Sequence, residues 1–150
     1  MPSTVAARLK KLWTERLKAV DQQPEIGAEE LKEYGWWFAS GKLDDEWSIA
    51  QLLEALRLAK QVEPDHLVVE RLVEMTQKAP RQCVEALSMM IEGDTQGWAI
   101  LGWKGKAEEI LRTARKSGNA EARERAEEVV NLLGSRGHFG FGRLLTEPVV

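Results

Sequence analysis

Apolar residues recur along the chain at intervals of three and four, the spacing of one face of an α-helix. Leu9, Leu12, Trp13, Leu17 and Val20 mark a first helix from about Thr4 to Val20, capped by Ser3 or Thr4, with Pro24 past its end. A second is predicted from about Ala28 to Ser40, and Gly41 is placed to end it in a left-handed conformation. A third starts after Asp44 or Asp45, whose carboxylates suit the free N–H groups of a helix start. Its stripe is Ile49, Leu52, Leu53, Leu56 and Ala59.

Pro64 and Asp65 open a fourth helix with a wide apolar face: Val68, Val69, Leu72, Val73, Met75 and Thr76. A face that wide predicts burial between neighbours. Pro80 opens the fifth at the position where a missing N–H costs nothing, and Cys83, Val84, Leu87, Met90 and Ile91 form its stripe. Gly93, Asp94 and Thr95 end it and cap the next. The sixth carries Ile100, Trp103, Ala107, Ile110, Leu111 and Ala114 and ends at Ser117-Gly118. Asn119 caps a seventh with Ala122, Ala126, Val129, Val130 and Leu133 inward. Gly134 or Gly137 then ends it, and Phe139 and Phe141 pin a glycine-rich tail.

The odd-numbered helices start near residues 4, 44, 80 and 119, about 36–40 residues apart. That is the period of two-helix repeats of the HEAT or armadillo type. The fold expected is therefore all-α: a HEAT/armadillo-like α-solenoid of about seven antiparallel helices, with an irregular helical bundle as the alternative. One domain covers residues 1–150, with helical repeats over about 4–133 and a capping tail over 134–150.

Composition agrees. Ala, Leu, Glu, Lys, Arg, Gln and Met supply 85 of the 150 residues, and Val, Ile and Thr only 22, which favours helix over sheet. At 43% hydrophobic and 30% charged, the chain can fold without staples. The single Cys83 cannot form an internal disulfide, and no apolar run approaches the roughly 20 residues that span a bilayer. The N-terminus lacks the apolar core of a signal peptide. A soluble, reducing, cytoplasmic setting is expected.

Net charge is −3, which argues against a broad nucleic-acid surface. The charge is uneven, however: five basic residues lie between Arg8 and Lys18. Arg8, Lys11 and Lys18, with Arg136 and Arg143 in the tail, are the candidate anion-binding set. They would act together only if the two chain ends shared one surface.

Conventional catalytic groups do not converge. His66 and Glu70 lie four apart on a helix, but a catalytic zinc needs a third protein ligand, and no HExxH or CxxC spacing is present. Cys83 falls on an apolar stripe, where a thiol behaves as a small hydrophobe, and only His138 offers a distant base. The stretch Gly134 to Arg143 is rich in glycine, yet it follows a helix and lacks the Lys of a phosphate loop. No catalytic residue, cofactor or metal ligand is assigned, and an enzyme is not expected.

Six of the ten aromatic residues are Trp. Trp13 and Trp103 lie on apolar stripes and read as core. Trp36, Trp37 and Phe38 are consecutive, so successive rings point about 100° apart and cannot all face one neighbour. Trp47 and Trp98 also lie off their stripes. Exposed Trp is enriched at binding hot spots, so Trp36, Trp37, Trp47 and Trp98 are the candidate partner-binding residues.

The segments GWWFASGKLDDEWSIAQLLEAL, EPDHLVVERL, EGDTQGWAI and LLGSRGHFGFGRLL carry a resemblance over roughly Leu31 to Leu145. They are similar to the uncharacterised HEAT-like helical C-terminal region of large bacterial multidomain proteins, some with nucleotide-hydrolysing or other effector domains. The resemblance implies a sensor or scaffold role and carries no catalytic residue onto this sequence. The expected function is a non-catalytic protein-interaction module with a protein partner, such as a larger effector protein. Nucleic-acid or anionic-ligand binding through the basic residues near the chain ends is the alternative, a small enzyme the third reading, and no membrane contact is expected.

Overall fold

The structure is a computed structural model that describes residues 7–8, 10–15, 34–41, 44–59, 61–94, 97 and 99–147. Among these residues every regular element is a helix and no strand occurs. Residues 10–15, with 7–8 ahead of them, form α1. Then follow α2 (Tyr34–Ser40), α3 (Asp45–Ala59), α4 (Asp65–Met75), α5 (Pro80–Gly93), α6 (Ala99–Arg115) and α7 (Ala120–Ser135). A 3₁₀ helix, Phe139–Thr146, closes the chain. No helix of the described residues is long and apolar enough to cross a membrane.

The punctuation predicted from sequence acts where it was expected. Gly41 ends α2 at a φ of 69°. Asp44 Oδ2 accepts from the Trp47 amide at the start of α3 (3.2 Å). Pro80 sits in the first turn of α5. Asn119 Oδ1 accepts from the Ala122 amide (3.0 Å), the expected cap of α7. Asp94 Oδ2 accepts from Ile100 N (3.2 Å), so it serves both the end of α5 and the start of α6.

Of the two expected stops for α7, Gly134 lies inside the helix and Gly137 ends it, with a φ of 91° and the His138 amide returning to Leu133 O (2.8 Å). The tail that follows is a 3₁₀ helix that buries Phe141 and Leu144. One helix departs from expectation. The helix α6 is broken at Trp103, whose backbone (φ −135°, ψ 27°) leaves the helical region as its indole Nε1–H donates to Asp65 Oδ2 (3.0 Å). The Phe139 side chain, the first-helix cap at Ser3 or Thr4, and the apolar positions Leu9, Leu17 and Val20 lie outside the described residues, as do residues 28–33 of the predicted second helix.

The neighbours of each helix follow a rule. Consecutive helices from α2 onward pack on one another, α2 on α3, α4 on α5, α5 on α6 and α6 on α7, but α3 and α4 do not pack together. Each helix also packs on the one two places along: α2 on α4, α3 on α5, α4 on α6 and α5 on α7. The 3₁₀ helix packs on α7 and α6. The predicted stripes supply the core between them, including Leu52, Leu56, Val69, Leu72, Val84, Leu87, Ile110, Leu111, Val129 and Leu133. At the N-terminal end Trp13 stacks on Tyr34 with ring centroids 4.4 Å apart, and the Tyr34 hydroxyl donates to Ser48 O (3.1 Å).

One close approach fixes α2. A Cβ placed on Gly35 would overlap the Glu63 carbonyl, 2.7 Å from its carbon, and press on Val68 Cγ2 at 3.0 Å. Only glycine lets α2 sit this near the chain entering α4. That seating decides which faces of Trp36 and Trp37 stay outside.

Candidate functional site

The residue after Gly35 begins the site. With Tyr34, Gly35 and Phe38 buried, the turn of α2 leaves Trp36 60% and Trp37 45% exposed. A buried Trp typically removes a large apolar area from water, so two exposed indoles in succession are costly unless something else covers them. Trp36, Ala39 and Ser40 line one wall of a cleft of about 380 Å³. Leu67, Glu70, Arg71 and Glu74 of α4 line the other. Those four positions are spaced three, four and seven apart, one continuous face of a helix.

The charges of this cleft are ordered. Arg71 donates from Nη1 to Glu74 Oε2 (2.6 Å) and from Nη2 to Asp45 Oδ1 (2.7 Å), so its guanidinium is spent within the fold. Lys106 reaches Glu70 Oε2 at 3.4 Å. Oε1 of Glu70 and Oε1 of Glu74 have no partner among the described residues. Leu67, Arg71 and Glu74 were not singled out from sequence, and Glu70 was named only as a companion of His66. Their helical spacing was visible, but which α4 face meets α2 depends on Gly35.

The other candidate tryptophans separate from this pair. Trp47 is half-buried against the core, and Lys10 Nζ lies 5.1 Å from its ring centroid while pairing with Asp44 Oδ1 at 2.5 Å. Its ring is covered by the chain itself. Trp98 lies outside the described residues. Trp13 and Trp103 are buried as their stripes predict, and Trp13 Nε1 has no hydrogen-bond partner among the described residues.

Four of the five basic candidates, Arg8, Lys11, Arg136 and Arg143, lie among the described residues. Arg8 and Lys11 are exposed on α1, whose contacts are with α2 and the start of α3. Lys18 lies outside the described residues. Arg136 donates from Nη1 to Ile91 O (2.6 Å), closing the end of α5. Arg143 pairs with Glu108. The tail arginines thus hold the tail to α5 and α6, while Arg8 and Lys11 sit by α2 and α3.

Sequence reasoning also missed the arginines that tie the last helices together. Arg112 donates to Glu147 Oε2 (3.0 Å) and to Glu108 Oε1 (3.0 Å). Buried Arg115 donates to Leu144 O and to Glu147 O. Arg125 bridges Glu85 Oε2 (2.9 Å), Glu128 Oε2 (2.9 Å) and Ser88 Oγ (2.8 Å). Arg143, then Arg112, hold the Glu108 carboxyl below its ordinary range, and Arg112 does the same for Glu147.

Cys83 is buried, and desolvation pushes its thiol up to about 12, which leaves it protonated at neutral pH. His66 is exposed, with Nδ1 3.8 Å from Asp65 Oδ1, and its predicted companion Glu70 pairs instead with Lys106. Comparison with protein-family models, with curated proteins and with solved structures finds no match to this chain.

Proposed function

We propose that this chain is a non-catalytic protein-interaction module, read as a HEAT- or armadillo-like stack of two-helix units in the cytoplasm. The alternation of neighbours supports the stacked reading: α3, α5 and α7 form one row, α2, α4 and α6 the other, and each unit touches the next. The 3₁₀ helix then covers the last unit, as a terminal cap does in a repeat array. The resemblance to helical C-terminal regions of bacterial multidomain proteins points to the same class of role.

The observation that carries the reading is the pair Trp36 and Trp37. Trp13 and Trp103 are in the core and Trp47 is half-buried with Lys10 near its ring, yet Trp36 and Trp37 stay outside, and Trp36 lines a cleft. Tryptophan beside a concave surface is the usual anchor of a protein interface. The test is affinity capture with the wild-type chain and with the double variant Trp36→Ala/Trp37→Ala. Loss of the captured proteins, with melting nearly unchanged, is the expected result. Unfolding of the double variant, or capture that does not change, contradicts the reading.

A further inference from the structure

The chain already contains one complete example of how it pairs an indole with a cation. Lys10 lays its ammonium 5.1 Å from the Trp47 ring centroid and ends on Asp44 Oδ1 at 2.5 Å. An aromatic face gives the aliphatic stem and the charge somewhere to rest, and a carboxylate at its edge takes the hydrogen bond. The Trp36 cleft has an indole and carboxylates too, but among the described residues no cation lies over the Trp36 ring. Its indole is 60% exposed, and Glu70 and Glu74, at 53% and 59% side-chain exposure, border the same space. Among the described residues Arg71 is the cation that lines the cleft and is committed to Asp45 and Glu74, while Lys106 pairs with Glu70 Oε2. One oxygen of each glutamate remains without a partner among the described residues.

We infer that the Trp36 cleft receives a lysine or arginine side chain of a protein partner, stacked on the Trp36 indole and ending on Glu70 and Glu74. This rests on the interaction-module reading and adds the chemistry of the partner to it. The apolar wall of Ala39 and Leu67 would take the stem of the incoming side chain. The class of partner that fits is a helix or extended segment with basic residues set among apolar ones. An acidic segment would meet two like charges at the same place.

The probe is a fluorescent amphipathic peptide with a lysine face and a leucine face, compared with a twin in which glutamate replaces every lysine. Binding is read by anisotropy on the full chain. The lysine peptide should bind and weaken as salt rises, and the glutamate twin should not bind. Trp36→Ala and the pair Glu70→Gln/Glu74→Gln should each weaken it about three- to tenfold. Glu124→Gln, an exposed glutamate on α7, controls for bulk charge and should leave binding unchanged. Failure of the lysine peptide to bind, equal binding of the twin, or insensitivity to Trp36→Ala or to the glutamine pair overturns the inference. A partner still captured through Trp36 and Trp37 in that case would leave the module reading standing and remove only the basic partner.

Discussion

Gly35 and Trp36 are adjacent and do opposite things. Gly35 has no side chain so that α2 can close on the Glu63 carbonyl, and Trp36 has the largest side chain and leaves 60% of it exposed. Gly35→Ala should therefore cost about 1–3 kcal/mol by overpacking against backbone that cannot move aside. A thermal melt checks it, and a melting temperature equal to wild type would mean that α2 can shift. Trp36→Ala should cost no more than about 0.5 kcal/mol, as exposed substitutions generally do. The same gel or calorimeter run on both variants separates a residue that builds the fold from one that does not.

At the level of elements, helix ends and the tail carry the testable terms. Asn119→Ala removes the side-chain acceptor for the Ala122 amide and should lower stability by about 1 kcal/mol. The tail is held both by burial and by charge. Phe141→Ala should cost about 3–5 kcal/mol, since the ring is fully buried between the last helices. The charge term has a pH signature. Arg143 and Arg112 lower the Glu108 carboxyl, and Arg112 lowers that of Glu147, each from an ordinary value of 4.5. A carboxyl depressed in the folded state adds stability that is complete above its unfolded value and is lost as pH falls through the folded one. Wild type should therefore melt higher than Glu108→Gln at neutral pH, and the two should converge below pH 4.5. Parallel curves across that range would show that the pairs add nothing to the fold.

Over the whole molecule, the helices α3 to α7 and their caps were legible in sequence because apolar spacing and breaker residues are local signals. Asp44, Pro80 and Asn119 act through contacts within a few residues of themselves, and each sits where its chemistry placed it. The cleft was legible only by half. Trp36 and Trp37 could be named from three consecutive aromatic residues, since no helix can bury all three on one side. Their wall on α4 could not, because the pairing of α2 with α4 depends on the absence of a Cβ at Gly35 and on Glu63, far along the chain. The arginine ties of the tail were hidden for the same reason: Arg112 and Glu147 are 35 residues apart. Nor did composition show that Arg136 and Arg143 have partners within the fold, Ile91 O and Glu108.

The proposed contact of the exposed Trp36 and Trp37 with a protein partner is tested most directly by a photo-cross-linking residue at Ala39, which lines the same cleft and leaves both indoles in place, with Glu124 on the exposed face of α7 as control. The expected result is discrete adducts from position 39 that are absent from position 124 and are competed away by unlabelled wild-type chain but not by Trp36→Ala/Trp37→Ala. The same adducts from both positions, or none from position 39, would contradict it.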